Sequence, residues 1–151
     1  MSKIQHVAVI GAGRMGKAIA IAFAYAGLQV KLIDAKVRPE QEFIQYRQQV
    51  QQDLTQELTL LRTIQFVQAE QIAVIQANIQ ILAKLESTKF LTQCDLIMEG
   101  VPEQTQAKQE IFSWLDQYIS PQCIIASTTS TFLVTDIAQM LSHPERVVNA
   151  H

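Results

Sequence analysis

Six residues near the start of the chain, Gly11-Ala12-Gly13-Arg14-Met15-Gly16, constrain the fold more than any others because of what flanks them. The run from Ile4 to Ile10 is short, nearly continuous and rich in β-branched residues, which is how a strand buried on both faces reads. After the glycines, Gly16 to Ala26 places small and apolar residues at helical spacing and closes at Gly27, a residue suited to a helix end. A second buried strand, Val30 to Ile33, then stops at Asp34. Strand, helix and strand in about 30 residues form one βαβ unit, whose right-handed crossover requires a parallel sheet.

Each glycine has a separate task in such a unit. Gly11 permits the tight turn out of the strand, Gly13 lets backbone approach a pyrophosphate at the helix N-terminus, and Gly16 lets helix and strand pack closely. Ala12, Arg14 and Met15 complete the loop around the phosphates. Asp34 is placed to accept from the hydroxyls of an adenosine ribose. The glycines alone are a weak indication, but strand, glycines, helix, strand and acid together specify a dinucleotide site. A carboxylate at Asp34 opposes a 2′-phosphate, so NAD is expected over NADP. Lys36, Arg38 and Arg14 lie close enough to soften that discrimination, although solvated loop charge is the simpler expectation for all three.

From Pro39 to about Ala77 the composition shifts to glutamine and leucine, with Phe43, Tyr46, Val50, Leu54, Leu58 and Leu61 three and four apart, which predicts one or two long helices. A strand at Ile79 to Leu82 follows, then a helix to about Gln93 and the strand Leu96-Ile97-Met98 ending at Glu99-Gly100. Further on, Thr105 to Tyr118 reads as helix, Cys123 to Ala126 as strand, Phe132 to Leu141 as helix and Val147-Val148 as a last strand. The expected fold is α/β: one domain over 1–151 with a Rossmann-type doubly wound, mostly parallel sheet, and a helical arm (about 39–77) inserted after the second strand.

The charge balance, 12 Lys plus Arg against 14 Asp plus Glu for a net charge of -2, gives no reason to expect nucleic acid or an anionic membrane as partner. No apolar run approaches the roughly 20 residues of a membrane helix. The opening residues lack the apolar core and cleavage site of a secretory signal, so a cytoplasmic protein is expected. Cys94 and Cys123 lack metal-ligand spacing and border apolar runs, so they read as free structural thiols of a reducing compartment, and no metal is expected.

The stretch Asp95-Leu96-Ile97-Met98-Glu99-Gly100-Val101-Pro102-Glu103 is a strand that stops in a polar loop on the sheet's carboxyl edge, where ligands bind in such folds. With Ser127-Thr128-Thr129-Ser130 and the closing Arg146-Val147-Val148-Asn149-Ala150-His151, it resembles the amino-terminal, NAD-binding domain of the 3-hydroxyacyl-CoA dehydrogenase family, from Ile4 to His151. Spacing makes the likeness specific. Ser130 lies 21 residues before His151, as the family's serine does before its catalytic histidine, and Glu103 and Lys108, five apart, match its cofactor-facing glutamate and lysine.

The resemblance implies NAD as cofactor and oxidation of a 3-hydroxyacyl-CoA to the 3-oxoacyl-CoA, a reaction of fatty acid metabolism. It makes His151 the base and Ser130 the residue that holds the reacting oxygen beside the cofactor. It further implies a helical carboxyl-terminal domain that closes the substrate cleft and makes a homodimer. No such domain is present in these 151 residues, so the chain is expected to be the cofactor half and inactive alone. Taken by themselves, Glu103 also suits a helix N-terminal acid, Ser130 also suits an N-cap for a helix near Phe132, and a single histidine is usually a surface or core residue, as His6 and His143 are expected to be.

Two departures bear on the substrate. Thr128 stands where the family commonly has asparagine, and the arm offers only Arg47 and Arg62 against five acids, where CoA-binding relatives tend to carry lysine. An acyl-CoA therefore competes with two alternatives: a CoA-free 3-hydroxy compound, gulonate- or carnitine-like, and a non-enzymatic NAD-binding module.

Overall fold

In the computed structural model, which describes residues 3–151, six strands form one parallel sheet. Met1 and Ser2, the first residues of the stretch read for a secretory signal, lie outside the described residues. The strands are β1 (Val7–Ile10), β2 (Val30–Ile33), β3 (Ile79–Leu82), β4 (Leu96–Glu99), β5 (Ile124–Ser127) and β6 (Val147–Asn149), in the spatial order β3-β2-β1-β4-β5-β6. Every adjacent pair runs parallel, including Val7 opposite Val30 on one side and opposite Leu96 on the other. The chain builds outward from β1 to β3, then crosses back to lay β4 against the free side of β1. That reversal opens a crevice at the carboxyl ends of β1 and β4, where open α/β sheets bind their ligands.

Helices cover both faces, which is why the central strands carry apolar residues without alternation. Val7, Val9, Val30 and Leu32 face one core, shared with α1 (Arg14–Tyr25) and with α2 (Glu40–Thr63) and α3 (Ala69–Ala77) of the arm. Ala8, Ile10, Ile33 and Ile97 face the other, with α4 (Thr88–Leu91), α5 (Thr105–Leu115) and α6 (Val134–Ala138). In α2 the buried residues Phe43, Val50, Leu54 and Leu58 form one stripe at helical spacing. The arm is two helices because the chain turns at Gln65, whose φ is 61, and restarts in a capping box between Gln68 and Gln71.

The boundaries differ from the sequence reading where side chains compete with regular hydrogen bonding. The first strand begins at Val7, not Ile4, because the amides of Gln5 and His6 donate to the Asp95 carboxylate. The last helix shrinks to Val134–Ala138, because the Thr129 hydroxyl accepts from the amides of Thr131 and Phe132 and holds those residues in a turn. Helix α4 spans only Thr88–Leu91, and α5 ends at Leu115. Both cysteines are free and buried, and the neighbouring Cys94 thiol, followed by burial, pushes the Cys123 thiol far up. A thiol held protonated in this way is inert. No described helix is long and apolar enough to cross a membrane, and no described group of acids, histidines and cysteines is arranged to hold a metal.

Candidate functional site

The glycine loop leaves β1 and enters α1 across the crevice. Gly11 has φ 95 and its amide donates to the Ile33 carbonyl at 2.9 Å, a left-handed turn that strains any residue with a Cβ. A Cβ on Gly16 would stand 1.7 Å from the Gly11 carbonyl oxygen, so helix and loop approach as closely as glycine alone allows. Gly13 differs. It is the N-cap of α1 with ordinary extended backbone and no side-chain cap, and a Cβ there meets no atom within 4 Å. The space beside Gly13 therefore lies open at the positive end of a twelve-residue helix, a fitting cradle for a pyrophosphate.

Asp34 stands at the end of β2 with only 2% of its surface exposed. Its Oδ1 accepts from the Lys36 amide at 3.0 Å and its Oδ2 from Arg38 Nε at 2.6 Å. A carboxylate oxygen has two acceptor sites, so each retains room for a ribose hydroxyl. Arg38 is not the solvated loop charge that the sequence suggested. Its guanidinium carbon lies 4.1 Å from the centroid of the Tyr46 ring, so carboxylate and aromatic face together fix the side chain. Lys36 remains exposed, as expected.

Across the crevice, a buried network joins the loops after β4 and β5. Glu99 and Lys108 are both fully buried, with Lys108 Nζ at 3.0 and 3.1 Å from the two Glu99 oxygens. Glu99 also accepts from the Ser127 hydroxyl at 2.6 Å and the Val101 amide at 2.7 Å, so its charge is met by a cation and two further donors. Lys108 reaches on to Glu103 at 3.6 Å. Glu103 Oε2 accepts from the hydroxyls of Thr129, at 2.8 Å, and Thr131, at 2.7 Å. Burial pushes the Glu103 carboxyl up, but those two hydroxyls, Lys108 and the Ser130 amide outweigh it and hold the carboxyl below its usual value. Glu103 thus braces the residues on both sides of Ser130.

A cleft of about 530 Å³ runs along this edge, within the range of small-molecule sites. Gly11, Ala12, Gly13, Met15, Asp34, Glu103, Ser130 and His151 all line it, with Arg38, Tyr46 and Thr128. His151 arrives there because β6 pairs Asn149 with Ser127 and the Ala150 amide donates to the Ser127 carbonyl at 2.9 Å. Three other residues named from sequence lie outside the lining. Gly16 sits beneath the loop, Arg14 faces a separate groove with Tyr25 and Glu57, and Lys108 is enclosed behind Glu103. Ser130 caps no helix, since Leu133 is the N-cap of α6, and Glu103 lies before the N-cap of α5, Gln104.

Glu99, Tyr46, Thr129 and Thr131 escaped the sequence reading as site residues. Tyr46 looked like one more apolar position on the arm, and nothing in a period identifies a pair nine residues apart such as Glu99 and Lys108. The one available hint was an acid ending a buried strand.

A doubly wound parallel sheet, an open glycine cradle and an acid at the end of β2 define a dinucleotide-binding domain. Residues 6–151 match the family described as 3-hydroxyacyl-CoA dehydrogenase, NAD binding domain, and the chain belongs to that family, with NAD as its cofactor. A probable 3-hydroxybutyryl-CoA dehydrogenase of Bacillus subtilis is 33% identical over 149 residues, covering 99% of this chain and 48% of that protein. A 3-hydroxybutyryl-CoA dehydrogenase of Bradyrhizobium diazoefficiens is 30% identical, covering 98% of this chain and 47% of that protein. The crystal structure of 3-hydroxybutyryl-CoA dehydrogenase from Escherichia coli superposes with a TM-score of 0.83 at 27% identity, over 99% of this chain and 30% of that one. The chain spans about half the length of the curated relatives it matches.

Proposed function

We propose that this domain holds NAD for the oxidation of a 3-hydroxyacyl-CoA to the 3-oxoacyl-CoA, with a helical carboxyl-terminal domain of the whole protein closing over the substrate. The observation that carries the reading is that Ser130 and His151 line the same cleft as the glycine loop and Asp34. The glycine loop and helix N-terminus receive the pyrophosphate, and Asp34 receives the adenosine ribose. NAD supplies the hydride acceptor when bound. His151 takes the hydroxyl proton as C3 is oxidised, and the Ser130 hydroxyl donates to the reacting oxygen and orients it. Glu103 keeps Ser130 in place through Thr129 and Thr131.

The test is NADH oxidation with acetoacetyl-CoA by the whole protein and by this chain. The whole protein should turn over, its Ser130→Ala and His151→Gln variants should lose at least about a hundredfold, and this chain should stay at background, since positioning errors of 1 Å cost about that much. Equal turnover by the His151→Gln variant would overturn the assignment of the base.

A second reading, a CoA-free 3-hydroxy substrate, draws support from the arm. Arg47 leans over the Phe43 ring at 5.8 Å, leaving Arg62 as the arm's other cation for the phosphates of CoA. A whole protein that uses a CoA-free 3-oxo acid at least as well as acetoacetyl-CoA would favour this reading over the first.

A further inference from the structure

The adenosine end of the cleft presents a cation where the strand-end acid alone would present an anion. Asp34 is almost fully buried, and Arg38 pairs with it through Nε and lies over the Tyr46 ring, with a quarter of the Arg38 side chain still exposed. Lys36 and Arg38 both line the cleft with Asp34, so two cations stand beside the one carboxylate that would receive the ribose. A guanidinium bonded to the carboxylate through Nε still carries terminal N–H donors that can meet a phosphate. Tyr46 holds the guanidinium plane from the arm side, so the fork needs little further ordering to meet a ligand.

We propose that Arg38 sets how strictly the cleft discriminates between NAD and its 2′-phosphorylated form, by neutralising Asp34 and offering its fork to the phosphate. The inference rests on the NAD reading of the cleft. NAD remains the better ligand, because Asp34 retains acceptor sites for the ribose hydroxyls. The 2′-phosphate, however, meets a paired carboxylate and two cations in place of a bare anion.

The test is calorimetric titration of the chain with NAD, NADP, ADP and 2′,5′-ADP, the last two isolating the adenosine end. The wild-type chain should bind NADP within about tenfold of NAD. Arg38→Gln should widen that ratio by at least about tenfold, chiefly through weaker NADP and 2′,5′-ADP binding, and Arg38→Lys should fall between. The 2′-phosphorylated ligands should also lose affinity more steeply with added salt. Equal weakening of both cofactors by Arg38→Gln and Arg38→Lys would reduce Arg38 to a structural role and overturn the proposal. So would a wild-type preference for NAD beyond about a hundredfold. Absence of NAD and ADP binding altogether would instead refute the cofactor reading beneath it.

Discussion

Gly16 brings α1 so close to the Gly11 carbonyl oxygen that a methyl group on it would stand 1.7 Å away, while a methyl on Gly13 would touch nothing. The two glycines therefore fail differently when substituted. Gly16→Ala should destabilise the fold by about 3 kcal/mol or more, because the colliding partner is the backbone of the Gly11 turn and not a flexible side chain. Gly13→Ala, in extended backbone, should melt within a few degrees of wild type. Thermal denaturation of both variants checks this, and similar melting temperatures would contradict the packing role of Gly16.

That contrast also marks what a sequence can and cannot show. The βαβ unit was legible because its strands are apolar on both faces and its glycines sit at the turn, and β2 and β3 have the boundaries their apolar runs suggest. The roles proposed for Ser130 and His151 rest on a family likeness and not on their residue types. The ends of β1 and of the last helix were illegible, because Asp95 and Thr129 capture amides through contacts that no local period encodes. The Arg38 pair was misread because exposure depends on Tyr46, brought in from the arm.

The buried pair of Glu99 and Lys108 should be costly to break. Lys108→Met would leave Glu99 with only Ser127 and Val101 as partners, at a cost of about 3 to 5 kcal/mol. Removing both charges, as Glu99→Gln with Lys108→Met, should recover a large part of that loss. Urea denaturation of the single and double variants tests the coupling, and a single-variant loss below about 1 kcal/mol would contradict it.

Acid should weaken the fold partly through Asp95. Hydrogen bonds from the amides of His6 and then Gln5 hold its carboxyl below the usual range. The folded state thus favours the ionised form. Its contribution is present above the unfolded value of about 4 and is lost as pH falls through the folded value. With 40% of the side chain exposed, the contribution should stay under about 1 kcal/mol. Melting temperatures from pH 6 to 3 should fall less steeply for Asp95→Asn than for wild type, and parallel curves would show that Asp95 plays no part. Asp53, lowered by its bonds from Lys17 and Gln49, leaves a residual acid dependence in the variant.

The central claim is that the open space beside Gly13 is where this chain receives the NAD pyrophosphate, and calorimetric titration with NAD tests it most directly. The wild-type chain should show one saturable site, and Gly13→Ala should lose at least about tenfold in affinity with its melting temperature retained, because the added methyl fills the space the phosphates need. Equal NAD affinity in wild type and Gly13→Ala, or no NAD binding by the folded wild-type chain, would contradict the account.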